Sequence, residues 1–243
     1  TRLSRVTGVQ TCALPTPQTK QMSQYDFDSN QEGDWEEPEN TAWNEADWQS
    51  YIRKSDREVS SFITAYNRCR NEPDRLEATS KIMGWAKEDW TCLEDIELDE
   101  EQLKEIRPVP LDELHKIEPY TVHKHPVYIS TCALFSFLRS SWEHLMMHNR
   151  EQPAPNLAWS YCASLADSER NCALAASSLD LGDYLLGLCH LKRAHTALNE
   201  SMRLNRLFTH HSKKIFQEYL EESDLRMHDL REICLRVMGD CRR

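Results

Sequence analysis

His144 and His148 stand four residues apart, a spacing that puts two imidazoles on one face of a helix where they could ligate a metal ion. Arg139, five residues before His144, sets a permanent cation on the same segment as an acid–base group, the minimal equipment for hydrolysis. Other titratable groups fall into less useful patterns. No glutamate follows His144, so the His-Glu-x-x-His arrangement of a zinc protease is missing. Asp224 and His228 are separated by four positions, whereas the di-iron bundle sites need Glu-x-x-His on two helices, and residues 122–243 contain no Glu-x-x-His. Gly182 and Gly187 are isolated in a leucine-rich run and make no phosphate-cradling loop. His123, His125, His210 and His211 lie at helix edges, where histidine caps a helix or is solvated.

The spacing Arg139–His144, like Arg203–His210 and Arg206–His211, resembles the Arg-x(4–6)-His signature of HEPN-type ribonucleases, which are helical bundles. The resemblance implies that Arg139 and His144 face a cleft completed by a second copy of the chain. The motif is loose, and a chain this rich in arginine and histidine meets it by chance. No cofactor is implied by any of these patterns, and His144 with His148 is the only metal candidate they offer.

The elements that would position these groups are helical. The chain has 243 residues, 40% of them hydrophobic and only six of them glycine, a composition that suits a helical protein better than a turn-rich β-sandwich. Trp48, Tyr51, Ile52, Ser55, Val59, Phe62, Ile63, Tyr66 and Cys69 recur at three- and four-residue steps and predict one amphipathic helix. Pro73 ends it, Asp74 is placed to cap a short helix carrying Leu76, Ile82 and Met83, and Gly84 is the stop. Trp85 and Trp90 follow and are read as sealing a small core.

Four long helices are predicted beyond residue 122. The first starts at Pro126 and turns Val127, Leu134, Phe135, Leu138, Trp142 and Leu145 inward. Pro153 and Pro155 separate it from a second, capped by Asn156, with Leu157, Tyr161, Leu165, Cys172, Ala176 and Leu179 on one face and small residues that allow a close neighbour. Asp180 and Asp183 bracket Gly182 and suit a tight turn or an N-cap before the third, whose inward set is Leu181, Leu185, Leu188, Leu191, His195, Leu198 and Met202. In the fourth, Phe216, Leu220, Ser223, Met227, Leu230, Cys234 and Val237 alternate steps of four and three, and Gly239 ends it. Short connections between long amphipathic helices predict an up-and-down bundle.

Charge and composition divide the rest. Residues 122–243 carry fifteen Lys/Arg against fourteen Asp/Glu, leaving fourteen against twenty-six for residues 1–121. An acidic half repels a phosphate backbone and argues against nucleic-acid binding. Residues Val6–Pro15 resemble the translation of a sequencing-library adapter, which marks 1–21 as foreign sequence and Met22 as the natural start. The expected organisation is therefore an artefactual 1–21, an acidic disordered 22–42, a small helical region at 43–90, an acidic linker at 91–121 and a helical bundle at 122–243.

Nine cysteines, at 12, 69, 92, 132, 162, 172, 189, 234 and 241, form no Cys-x-x-Cys pair and read as free thiols in a reducing, cytoplasmic setting. No apolar run reaches the ~20 residues of a membrane span. The functional expectation is a non-enzymatic interaction or scaffold protein that binds a protein partner or a second copy of itself. The alternative is a HEPN-like hydrolase using Arg139 and His144.

Overall fold

The computed structural model describes residues 43–85, 119–148, 152–208 and 214–242. The expectations for residues 1–42, for Trp90, for the acidic linker up to residue 118 and for His210 and His211 lie outside the described residues. Helices α1 (Glu45–Arg68) and α2 (Arg75–Met83) precede a short 3-10 turn at Val122–Lys124. Four long helices follow: α3 (Pro126–His148), α4 (Pro155–Asp180), α5 (Tyr184–Leu207) and α6 (Lys214–Asp240). Among the described residues there are helices and no strands, as the sequence predicts.

Each end has a local cause. Asn44 caps α1 by accepting from the Asp47 backbone N–H at 3.1 Å, while the Asp47 carboxylate accepts from the Asn44 N–H at 3.0 Å. Gly84 ends α2 with φ +76°, and its N–H and that of Trp85 satisfy the carbonyls of Lys81 and Ser80. Asp183 caps α5 by accepting from the Leu186 N–H at 3.0 Å. Asp74 does stand at the start of α2, but its side chain makes no capping bond. The start of α4 departs from expectation. Pro155, not Asn156, opens it, because proline's fixed φ already suits the first helical position; Ala154 precedes it and Asn156 is exposed in the first turn. Gly239 likewise lies inside α6, which runs on to Asp240.

Helices α3 to α6 form a closed up-and-down ring in which each packs on the next and α6 returns to α3. The predicted inward sets of α3 and α6 are all buried. α4 and α5 are the most intimately packed pair. Ser168 Oγ donates to the Ala194 carbonyl at 3.0 Å, and Ser164 and Ser201 share a 2.8 Å bond, so the two backbones run antiparallel at close range. Gly187 sits at that approach: a Cβ there would lie 3.0 Å from Leu179 Cδ2.

α1 packs along α3, and α2 packs on α1. Phe62, Tyr66 and Leu76 join the same apolar core as the four-helix ring, and Trp85 stacks on Phe62 with ring centroids 5.6 Å apart. In α1 the inward stripe is narrower than its periodicity suggests: Tyr51, Ser55, Phe62 and Tyr66 are buried, whereas Trp48 and Ile52 are exposed. In α5 the expected inward set starts one turn too early. Leu181 and Leu185 are 83% and 75% exposed, and full burial begins at Gly187 and Leu191. Gly182, at φ +76°, makes the chain reverse before Leu185, so the first turn of α5 projects beyond the face that covers it.

Candidate functional site

The helix that carries Arg139 and His144 keeps them apart. Five residues at 100° each place the two side chains roughly 140° apart around α3. Arg139 turns toward α4 and grips Glu169 through Nη1 at 3.1 and 2.9 Å. His144 turns toward α6, where it lines a groove of about 370 Å³ floored by Phe137, Leu145 and Tyr219. The expected catalytic pair therefore does not converge within one chain. His144 and His148 do share a face, as the four-residue spacing predicts, with ring centroids 4.2 Å apart. Both are exposed, and His148 Nδ1 lies 2.9 Å from the His144 carbonyl oxygen, which engages one of its two ring nitrogens. Among the described residues no group of three or more His, Cys, Asp or Glu is arranged to hold a metal ion.

His195 occupies the edge of the α5 seam and not its centre. It is half-buried, bonded to Asn199 at 3.2 Å and accepting from Arg231 Nε at 3.3 Å. Burial and then the Arg231 charge lower its pKa, which keeps the ring neutral and able to accept. His125 is more deeply enclosed: its Nδ1 accepts from the Val127 N–H at 3.2 Å, capping α3, and burial lowers its pKa as well. Both histidines thus act as satisfied structural groups.

Two features outside these candidates stand out. The first is a charged layer between α1–α2 and α6. Asp229 is buried and accepts from Arg75 Nε and Nη2 at 2.5 and 2.6 Å and from the Tyr66 hydroxyl. Burial, reinforced by that carboxylate, raises the Tyr66 pKa, and the Arg75 pKa is raised first by its bond to Asp229. Beside them Arg226, 2% exposed, lies 3.6 Å over the Phe137 ring, donates to Asn67 at 2.9 Å and pairs with Glu222. Arg236 pairs with Glu77 one level further along. Sequence reasoning missed Arg226, Asp229 and Arg236, since nothing local signals that α1 and α2 return to cover this face of α6.

The second is the outward face of the α4–α5 hairpin. A groove of about 980 Å³ runs between the two helices from Ala163 to Leu174 on α4 and from His190 to Glu200 on α5. Asn171 Oδ1 and His190 Nδ1 meet across its floor at 3.2 Å. Next to it, at the turn, Leu181, Leu185 and Leu186 are exposed within six residues. Their apolar character was legible, but periodicity assigned Leu181 and Leu185 to the core and so hid the surface they form.

Among the described residues no helix is long and apolar enough to cross a membrane. No family model, no curated protein and no solved structure matches the chain.

Proposed function

We propose that this protein is a non-enzymatic interaction module that binds another protein chain through the outward face and turn of its α4–α5 hairpin. The observation that carries this reading is the cluster Leu181, Leu185 and Leu186, exposed at 83, 75 and 47% around one tight turn. Large aliphatic side chains concentrated at one exposed point are the mark of a surface that is covered in use. The rigidity of the hairpin supports the same role, because a close-packed helix pair presents its surface with little ordering cost on binding. The partner is a different protein or a second copy of this chain, and nucleic acid is disfavoured by the acidic balance of residues 1–121. The working compartment is the cytoplasm, a reading supported by seven described cysteines that are all free thiols.

The test uses Leu181→Glu/Leu185→Glu in the full chain. Both side chains are exposed, so circular dichroism and the melting temperature should match those of the parent protein. Affinity capture from the native source, compared quantitatively between parent and variant, should recover at least one protein in a leucine-dependent way. Light scattering on the purified chain then tells whether that protein is a second copy. Identical captures by both forms, with both monomeric, would sink the reading.

A further inference from the structure

The α4–α5 face carries more than exposed leucines, and the order of its side chains describes the segment that fits it. Trp159, 78% exposed near the start of α4, lies on the same outward stripe as Ala163, Asp167, Arg170 and Leu174, at steps of four, four, three and four. On α5, Leu186 begins the matching stripe that continues through His190, Arg193, Ala197 and Glu200. An apolar anchor therefore stands at each end, Trp159 at one and Leu174 with Leu186 at the other. The fifteen helical steps from Trp159 to Leu174 span about 22 Å, or four turns of a helix.

The charge between the anchors is one-sided once internal pairs are removed. Asp167 is paired with Arg170, and Glu200 is held by Arg203 at 2.7 and 2.8 Å. Lys192 and Arg193, which line the middle of the groove, have no ion-pair or side-chain hydrogen-bond partner among the described residues. The floor beneath them is small and shallow, made of Ala163, Thr196 and Ala197, which leaves room for a rod to lie along the seam. A polyphosphate would leave the apolar anchors at Trp159 and at Leu174 with Leu186 unused. A peptide helix with acidic residues in its middle suits all of these features at once.

We infer that the groove between α4 and α5 receives an acidic amphipathic helix of about four turns, with apolar side chains near its two ends on Trp159 and on Leu174/Leu186, and carboxylates between them on Lys192 and Arg193. The inference rests on the interaction reading above and adds the chemistry of the partner.

The probe is a synthetic alanine-rich helix of about eighteen residues with leucines near both ends and three glutamates between them on one face. It contains no tryptophan, so quenching of tryptophan emission from the parent protein, compared with Trp159→Ala, reads occupancy of the groove, and calorimetry gives the affinity. The glutamate peptide should bind the parent protein, and Lys192→Glu/Arg193→Glu should weaken it roughly tenfold or more. Raising sodium chloride from about 50 to about 500 mM should weaken it similarly. A peptide with lysines in place of the glutamates should prefer the charge-reversed variant. Failure of the glutamate peptide to bind, equal binding to parent and charge-reversed protein, or stronger competition by duplex DNA than by the peptide would each overturn the inference. Native capture separates the two claims. A partner lost with Leu181→Glu/Leu185→Glu but retained in full by Lys192→Glu/Arg193→Glu overturns the acidic-helix assignment and leaves the interaction reading standing.

Discussion

The α4–α5 hairpin and the α1–α2 layer are both helix pairs on one core, yet they are held by different physics. In the hairpin a tight turn at Gly182 brings two helices together locally, and alanines, serines and one glycine let the backbones approach until side-chain hydroxyls reach across. In the α1–α2 layer the partner strand of chain is far away in sequence, 163 residues between Tyr66 and Asp229, and the contact is fixed by buried charge. Close packing of small residues tolerates modest error, whereas a buried carboxylate with three donors does not. The hairpin is thus the durable platform, and the α1–α2 layer depends on a few residues acting together.

The most severe way to break that contrast is Asp229→Ala. It leaves the Arg75 guanidinium and the Tyr66 hydroxyl without their acceptor in a buried site, and removal of one member of such a pair costs about 3–5 kcal/mol. Urea unfolding should show that loss. Hydrogen exchange should show faster opening of α1 and α2 than of α4 and α5. Asp229→Asn keeps one acceptor and should fall between variant and parent. A loss spread evenly over all six helices would mean that the layer is not a distinct unit of stability.

The layer and the four-helix core are both sensitive to base. Tyr66 holds its proton more tightly in the folded protein than in the unfolded chain, as do Tyr161 and Tyr219, buried and bonded to each other at 3.0 Å, and Tyr128, pushed up to about 12. Above the ordinary tyrosine value of about 10 the unfolded chain loses protons that the folded chain keeps, so stability present below that value declines as the pH climbs. At the acid end His125 works in the opposite sense. Its lowered pKa means that the unfolded chain takes up a proton first, so stability is present above about 6.5 and declines as the pH falls below it. His125→Asn keeps an acceptor for the Val127 N–H and should flatten the acid limb of a plot of Tm against pH. An unchanged acid limb would show that His125 is not the group responsible.

Much of this architecture was legible. The seams of α3 and α6 could be read position by position because an apolar stripe at helical spacing is a local property of the sequence. Pro126, Asp183 and Gly84 marked ends for local reasons too. Three features escaped for want of local cause. Arg226 and Asp229 are charged and look solvent-facing until α1 and α2 are known to cover them. Leu181 and Leu185 continue an apolar stripe beyond the point where a neighbour exists to bury it. Arg139 and His144 satisfy a spacing motif, but the 140° implied by that spacing already sends them toward different neighbours, roughly one to α4 and the other to α6.

Within the hairpin, Gly187→Ala tests how tightly the two helices are drawn together. Alanine in place of a helical glycine favours the helix by roughly 1 kcal/mol. Against this, the new methyl would stand 3.0 Å from Leu179 Cδ2 and 3.2 Å from its Cγ, on a side chain only 1% exposed. Displacing a well-packed leucine costs about 1–3 kcal/mol, so the net expectation is a loss of about 1 kcal/mol and slightly faster exchange in both helices.

The smallest expected effect sharpens the comparison from the other side. Arg139 and Glu169 join α3 to α4 with two good bonds, much as Arg75 and Asp229 join α2 to α6. The Arg139 side chain is 55% exposed, however, against 18% for Arg75, so water already solvates it and screens the pair. Arg139→Ala should therefore change stability by less than about 0.5 kcal/mol, whereas Arg75→Ala should cost several times as much. Similar bond geometry with so different an outcome would establish that burial, and not the number of contacts, makes the α1–α2 layer depend on its charges. Equal losses at the two positions would remove that distinction, because the exposed α3–α4 pair would then matter as much as the enclosed one.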